Sequence, residues 1–127
     1  MPRLLGAYAI SDEDLRALPV RDLEAMIDFY TRVMAFTVSQ RDDASAIVER
    51  DDVQLGLIVR DDHDPGRAGS VAIEVDDLVE LHAELARSGG EPGVFGEDEW
   101  NDRMHRTFFV REGANGYCYC FFCTLTG

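Results

Sequence analysis

The sequence predicts a small α+β protein in which two βαβββ modules share one core. Its 127 residues suffice for one domain, or for two very small modules that need each other to enclose a core. Along the chain, apolar residues switch from a strand period to a helical period and back, and they do so twice. The two junctions from strand to helix also match, since Asp22-Leu23 recurs as Asp77-Leu78 after 55 residues. A repeat of that size predicts paired modules with a curved sheet.

The first module is predicted to span residues 15–64, after an N-terminal extension of residues 1–14. Its helix shows in the apolar side chains from Leu23 to Met34, which recur with the helical period, and Asp22 is placed to cap it. Short apolar runs separated by paired aspartates predict the strands. These strands are expected at residues 15–20, 37–40, 46–49 and 53–59.

The second module is predicted to span residues 65–127, after a segment rich in Asp, Gly and Pro. Leu78, Leu81 and Leu85 carry the apolar stripe of its helix, which the Ser-Gly-Gly at 88–90 should close. Its strands are expected at residues 71–75, 93–96, 106–111 and 117–123. The residues expected to be mostly buried are Leu23, Met26, Ile27, Tyr30, Val71, Ile73, Val75, Leu81 and Leu85.

The chain is strongly acidic, since 25 Asp and Glu residues against 12 basic ones give a formal net charge of -13. Nucleic acid and anionic membranes are bound by clustered basic side chains, so we expect neither as a partner. The charge would favour a cationic ligand, although surface carboxylates also serve simply to keep a small protein soluble. All 12 basic residues are Arg, and the lack of Lys excludes Schiff-base chemistry and a P-loop.

No stretch approaches the roughly 20 apolar residues that cross a bilayer, and the N-terminus lacks the apolar run of a signal peptide. We therefore expect a cytoplasmic location. The three cysteines, Cys118, Cys120 and Cys123, fit this expectation, because an odd number without a secretion signal predicts reduced thiols. We expect them to be buried and structural, with a metal cluster as the less favoured alternative.

Several short motifs, each weak alone, occur in an order and spacing that together resemble one protein family. They are Leu18-Pro19-Val20-Arg21-Asp22-Leu23-Glu24-Ala25, Phe29-Tyr30, Met34-Ala35-Phe36, Glu74-Val75-Asp76-Asp77-Leu78, Trp100-Asn101-Asp102-Arg103 and Asn115-Gly116. With them the chain resembles the glyoxalase/bleomycin-resistance/extradiol-dioxygenase superfamily, also called the vicinal oxygen chelate superfamily, over roughly residues 15–123. The resemblance implies curved mixed sheets with a helix on the outer face of each module.

Metal-using members of this family carry His, Gln or Glu ligands at set places that face into the cup of each module. The matching positions here are Leu15, Ser70 and, depending on the register of the last strand, Tyr119 or Cys118. Leu, Ser and Tyr cannot supply the two or three His or carboxylate ligands that such a metal needs. The resemblance therefore implies a protein without a metal or other cofactor and without catalytic residues.

The metal-free branch of the family includes bleomycin-resistance proteins, which are acidic dimers of this length that sequester a drug in a groove without changing it. The resemblance thus predicts a homodimer that holds an aromatic antibiotic or toxin in the dimer cleft. The negative charge of the protein favours a cationic one. The alternative is a metal-dependent lyase, isomerase or dioxygenase of the same fold, with His105 and Glu49 or Glu74 as the nucleus of its metal site. A third hypothesis is a protein whose cleft no longer binds a ligand and which serves only as a scaffold.

The residues expected to line the cleft are mainly aromatic. On the last strand, Tyr117, Tyr119 and Phe121 share one face, which points into the cup if Tyr119 holds the former ligand position. Core packing is the equally ordinary alternative for them. Trp100, in a polar loop, would be a stacking platform or a loop anchor, and Glu74 would meet a cationic group or solvate a sheet edge. The candidate ligand-binding residues are Trp100, Tyr119, Tyr117, Phe121, Glu74, Ser70, Phe36, His105 and Arg103.

Overall fold

The computed structural model describes residues 2–10 and 13–125. The predicted N-terminal extension (1–14) therefore includes three residues outside the described ones, 1 and 11–12. The predicted second module (65–127) includes two, 126–127. The strands are β1 (Leu4–Ala9), β2 (Leu18–Val20), β3 (Thr37–Arg41), β4 (Ser45–Arg50), β5 (Val53–Val59), β6 (Ser70–Val75), β7 (Gly96–Trp100), β8 (Arg103–Arg111) and β9 (Cys118–Thr124). The helices are α1 (Leu23–Asp28), which runs on as a π-helical turn at Phe29–Val33, and α2 (Leu78–Arg87). Within the described part of the chain, no helix has both the length and the apolar character needed to span a membrane.

The strands form two mixed sheets with the same internal order. One sheet is β2-β5-β4-β3 and the other contains β6-β9-β8-β7, so in each module the first strand runs parallel to the last. The other neighbouring strands are antiparallel. In each module the helix follows the first strand and packs on the sheet of that module. The predicted α+β fold of paired βαβββ modules is confirmed.

The first strand of the chain belongs to the second sheet. Residues 4–9, expected to be part of an N-terminal extension, form β1 and pair antiparallel with β6, with Ala7 opposite Ile73. Leu4 is 1% exposed and joins the core. The pairing covers an edge of β6 that would otherwise present unpaired N–H and C=O groups. Residues 4–9, which precede the first module in the chain, are therefore part of the sheet of the second.

Two strands depart from their predicted bounds. The strand expected at residues 15–20 begins only at Leu18, after a turn. The strand expected at 93–96 lies instead at Gly96–Trp100, so Trp100 is on a strand and not in a polar loop. Acidic side chains are tolerated there because β7 is an edge strand, where exposed charge also discourages pairing with other chains.

Aspartate side chains start both helices. The Oδ1 atom of Asp22 accepts a hydrogen bond from the backbone N–H of Ala25 at 3.0 Å, and Oδ1 of Asp77 accepts one from Glu80 at 3.0 Å. The apolar sides of the helices then pack against the sheets. The residues predicted to be buried are all at most 8% exposed: Leu23, Met26, Ile27, Tyr30, Val71, Ile73, Val75, Leu81 and Leu85.

Polar contacts join the two modules. Arg50 on β4 pairs with Glu84 on α2 through two hydrogen bonds of 2.7 and 3.1 Å, and its side chain is 8% exposed. Asn115 is fully buried, and its Oδ1 atom accepts hydrogen bonds from the backbone N–H groups of Arg21 and Asp22. The turn before β9 thereby holds the start of α1, so this part of the sequence motif has a structural role.

Candidate functional site

A cavity of 770 Å³ opens on the concave face of the second sheet, the face opposite the one on which α2 packs. Strands β1, β6, β8 and β9 and the end of β7 supply its walls. The side chains that give the cavity its character are Tyr8, Ile10, Glu74, Trp100, His105 and Phe122.

Strand alternation decides which side chains reach this cavity. On β6, Ile73 is fully buried on the helix side, so Ala72 and Glu74 point to the opposite face. The parallel register of β6 with β9 places Cys120 beside Ala72 and Phe122 beside Glu74. Neighbouring strands carry their paired side chains on the same face, and the concave face therefore combines apolar, aromatic and acidic groups.

Aromatic rings form one end of the cavity. The imidazole of His105 lies parallel to the indole of Trp100, with ring centroids 3.6 Å apart and an interplanar angle of 1°. Phe122 meets both rings edge-on, at 5.2 Å from Trp100 and 5.5 Å from His105. Tyr8 extends the cluster to β1, with its ring centroid 6.2 Å from that of Phe122. These rings give a flat apolar surface on which a planar ligand can stack.

His105 adds a polar atom to this aromatic end. The residue is 4% exposed, and its Nδ1 atom has no hydrogen-bond partner among the described residues. Most buried polar atoms in native proteins are paired. His63, the other buried histidine of the described chain, follows that rule, because its Nε2 atom lies 2.8 Å from the carbonyl oxygen of Asn115. The unpaired Nδ1 of His105 thus sets this cavity apart from the rest of the core.

The charges at the cavity come from Glu74 and Arg103, which both line it. Cys120 lines it too, but burial, reinforced by the nearby Cys118 and Asp98, raises the pKa of its thiol to about 11. At neutral pH that thiol is protonated, and a protonated thiol is a poor nucleophile and a poor metal ligand. The cavity therefore combines a carboxylate and a guanidinium with aromatic walls and an unreactive cysteine.

The cavity brings together four of the residues proposed from the sequence: Trp100, Arg103, His105 and Glu74. Trp100 and Arg103 face each other at the end of the β7–β8 hairpin, and His105 follows on the same face of β8. Glu74 comes from β6, at the other side of β9. Residues from both halves of the second module thus meet at one site.

The prediction that Tyr117, Tyr119 and Phe121 on the last strand line the cleft is wrong. Tyr117, Tyr119 and Phe121 are at most 2% exposed and belong to the core, with the cavity on the other face of β9. The hydroxyl oxygen of Tyr119 lies 2.8 Å from that of Tyr30, in the π-helical turn that continues α1, and Phe121 belongs to the same core. Both faces of β9 carry apolar residues, so alternation alone did not distinguish the core face from the concave face.

Phe36 and Ser70 do not line the cavity. Phe36 is 3% exposed and packs edge-on against Tyr30 in the core, with ring centroids 5.0 Å apart. Ser70 shares a face of β6 with Glu74 but lies nearer the start of the strand, where its backbone N–H donates to Oε1 of Glu13 at 3.0 Å. Phe36 is therefore a core residue, and Ser70 flanks the site.

Sequence reasoning missed the contribution of Tyr8, Ile10 and Phe122. Tyr8 and Ile10 belong to the stretch predicted to be an extension, and only the pairing of β1 with β6 brings them to the cavity. A signal was present, because residues 4–10 form an apolar run of strand length that ends before a polar cluster. Phe122 lies on the face of β9 opposite the one that the sequence analysis proposed for the cleft.

Within residues 2–10 and 13–125, no group of three or more His, Cys, Asp or Glu side chains is close enough together to hold a metal ion. His105 and Glu74, the predicted nucleus of a metal site, do line the same cavity. Glu49, its predicted alternative partner, lies on β4 in the other sheet.

Solved structures with this architecture include proteins described as bleomycin-binding or bleomycin resistance proteins. A bleomycin resistance determinant encoded on the transposon Tn5 is 20% identical, with a TM-score of 0.74 over 91% of this chain and 100% of that chain. Bleomycin-binding protein from bleomycin-producing Streptomyces verticillus, complexed with copper(II)-bleomycin, is 28% identical, with a TM-score of 0.65 over 85% of this chain and 92% of that one. A glyoxalase/bleomycin resistance protein/dioxygenase from Nocardioides is 26% identical, with a TM-score of 0.68 over 93% and 87%.

No curated protein matches the sequence of this chain. The family model of the Glyoxalase/Bleomycin resistance protein/Dioxygenase superfamily matches residues 8–113, which include the two helices and most strands of both modules. The chain therefore belongs to the glyoxalase/bleomycin resistance protein/dioxygenase superfamily.

Proposed function

We propose that this protein binds a flat, cationic aromatic small molecule in the cavity of the second sheet and sequesters it without chemical change. The observation that carries the proposal is the cluster of Trp100, His105 and Phe122 in one cavity with the carboxylate of Glu74. Stacking and cation–π contacts would hold the ring of the ligand, and Glu74 would balance its charge. A cavity of 770 Å³ suits a drug-sized molecule.

The similar structures support an antibiotic or toxin as the ligand. The protein from Streptomyces verticillus was solved with copper(II)-bleomycin, and a further bleomycin-binding protein, 20% identical to this chain, was solved with bleomycin. We extend that class of ligand to this chain, with resistance by sequestration as the biological consequence.

The proposal includes binding without a metal ion held by the protein. It is supported by the lack of a cluster of metal-ligating side chains in the described part of the chain. Metal analysis of protein purified without chelator tests this point. A stoichiometric transition metal would favour the alternative function, a metal-dependent lyase, isomerase or dioxygenase with His105 and Glu74 among the ligands.

Calorimetric titration with metal-free bleomycin and with copper(II)-bleomycin tests the proposed ligand class. We expect saturable binding, and we expect Trp100→Ala to weaken it by about 1–3 kcal/mol because the stacking surface is lost. Val79→Ala is the control, since Val79 is 57% exposed on α2 and remote from the cavity. Both variants should keep a cooperative thermal transition. Unchanged affinity in the Trp100 variant, or no binding of either form of bleomycin, would contradict the proposal.

We also propose that the protein is a homodimer in which a second copy completes the cleft. Tyr8, Ile10 and Phe109 lie on the concave face and are 51%, 53% and 46% exposed. Apolar surface of this kind marks interaction sites, and burying it between two copies would remove it from water. Light scattering at micromolar concentration should give about twice the chain mass of 14.2 kDa. A monomer at that concentration would contradict the dimer.

A further inference from the structure

Among the described residues, one buried side-chain nitrogen or oxygen atom has no hydrogen-bond partner, and it is Nδ1 of His105. Burial of an unpaired polar atom destabilises a folded protein, because the atom gives up its hydrogen bonds to water and gains none. A ring of the same shape without nitrogen would avoid that cost. The presence of histidine here therefore calls for a partner that is supplied from outside the chain.

The described side chains around His105 supply no partner to Nδ1. The indole of Trp100 covers one face of the imidazole, and Phe122 approaches it edge-on. Asp98 on β7 and Thr124 on β9 lie opposite His105 across the strands, and Arg103 lines the same cavity, but none of them forms a hydrogen bond with Nδ1. A molecule bound in the cavity is then a source of the missing hydrogen bond from outside the chain.

We propose that Nδ1 of His105 accepts a hydrogen bond from an N–H group of the ligand, so that the site selects planar cations with an N–H donor over equally flat cations without one. This inference rests on the proposed function, that is, on the binding of a flat cation in this cavity. The acceptor form requires a neutral imidazole with its proton on Nε2.

Access to Nδ1 requires side chains around His105 to move. The Nδ1 atom has less than 1 Å² of exposed surface, so a ligand reaches it only after the side chains around the stacked pair of His105 and Trp100 shift. Trp100 is the partly exposed ring of the pair and directly precedes the Asn101-Asp102 turn, whereas His105 is held within β8. Since Trp100 is the single tryptophan of the chain, its fluorescence reports this movement.

Two acridine cations provide matched probes. At neutral pH 9-aminoacridine and 10-methylacridinium are both flat monocations with three fused rings, but only 9-aminoacridine carries N–H donors. Calorimetry on the full-length wild-type protein should give a dissociation constant about tenfold lower for 9-aminoacridine. Binding of 9-aminoacridine should also change the Trp100 emission. This comparison requires no variant and so does not depend on the folding of one.

Variants then assign the preference to Nδ1. His105→Phe keeps the ring but removes the nitrogen, so the two probes should bind with nearly equal affinity, while Tm without ligand rises by about 3 °C or more. His105→Asn returns an acceptor near the position of Nδ1 and should retain part of the preference. His82→Phe is the control: the Nε2 atom of His82 lies 2.8 Å from the carbonyl oxygen of Gly93, so this change should not raise Tm and should leave the preference intact.

The outcomes separate this inference from the proposed function. If the wild-type protein binds both acridines equally well, the pocket for flat cations stands and the hydrogen bond to His105 is refuted. If it binds neither, both the proposed function and the inference fail. A lower Tm for His105→Phe, comparable with that of His82→Phe, would show that Nδ1 has a partner in the ligand-free protein and would overturn the inference.

Discussion

Removing one partner of the ion pair between Arg50 and Glu84 should lower the stability of the whole fold without touching the cavity. The pair connects β4 of the first module to α2 of the second, and its side chains are 8% and 17% exposed. Arg50 also donates hydrogen bonds to the backbone carbonyls of Met34, at 2.8 Å, and Pro2, at 3.3 Å. One guanidinium therefore holds together three separate segments of the chain.

The change Glu84→Gln keeps the shape of the side chain but leaves the guanidinium buried without its main counter-charge. Breaking a buried ion pair in this way costs about 3–5 kcal/mol. The carboxylate of Asp51, 3.6 Å from Nε of Arg50, offsets part of the loss and places the expected cost near 3 kcal/mol. That is a large part of the roughly 5–15 kcal/mol that stabilises a domain, and in a chain of this size it corresponds to a fall of about 10 °C in Tm.

Thermal and urea unfolding, followed by circular dichroism, measure this loss. The control is Asp28→Asn, which breaks the exposed ion pair of Asp28 with Arg32 and should leave the midpoint nearly unchanged because solvent screens that pair. Combining Arg50→Met with Glu84→Leu should recover part of the stability, since the guanidinium and the Glu84 carboxylate are then both absent, while Asp51 and the carbonyl groups of Met34 and Pro2 lose Arg50 as a partner. A Glu84→Gln protein that unfolds at the wild-type midpoint would refute the reasoning.

Two further predictions concern the core. Ile73 is fully buried between the second sheet and α2, so Ile73→Ala should lower the free energy of unfolding by about 2–5 kcal/mol, and a loss under about 0.5 kcal/mol would contradict that placement. Stability should also fall in alkali, because burial raises the pKa of Tyr117 from 10.0 to about 12 and that of Cys120 from 9.0 to about 11. Both groups lose their protons more readily when unfolded, so their contribution is complete below about pH 9 and is lost as the pH rises towards 12. The urea midpoint should therefore decline over this range, where the lack of lysine leaves tyrosines and cysteines as the titrating side chains. Tyr117→Phe should make this decline less steep above pH 10. An unchanged slope in that variant would contradict the raised pKa of the Tyr117 hydroxyl.

The sequence alone was sufficient for the paired modules and their helices. A period of 3.6 residues, a capping aspartate and a matched repeat are local signals, and each is readable without knowledge of the partner surface. Asp22 and Asp77 cap the helices as predicted, and the predicted core residues are buried. Trp100, Arg103, His105 and Glu74 were also proposed from the sequence as ligand-binding residues, and the β7–β8 hairpin and β6 bring them to one cavity.

Other parts of the site could not be read from local signals. The last strand is apolar on both faces, since Tyr119 packs against the first module and Phe122 lines the cavity, so its pattern was compatible with either orientation. Similarly, Tyr8 contributes only because β1 pairs with a strand more than 60 residues away along the chain.

The sequence by itself thus determined both helices, most of the strands, a set of core residues and the identity of several polar and aromatic groups, because these depend on neighbours within a few residues along the chain. Only the tertiary structure decided which face of β9 is concave, that β1 completes the second sheet, and that the rings of Trp100 and His105 stack while Nδ1 stays unpaired. Those features arise from strand pairing and from contacts between distant segments, where the energy depends on the packed geometry and not on the local pattern.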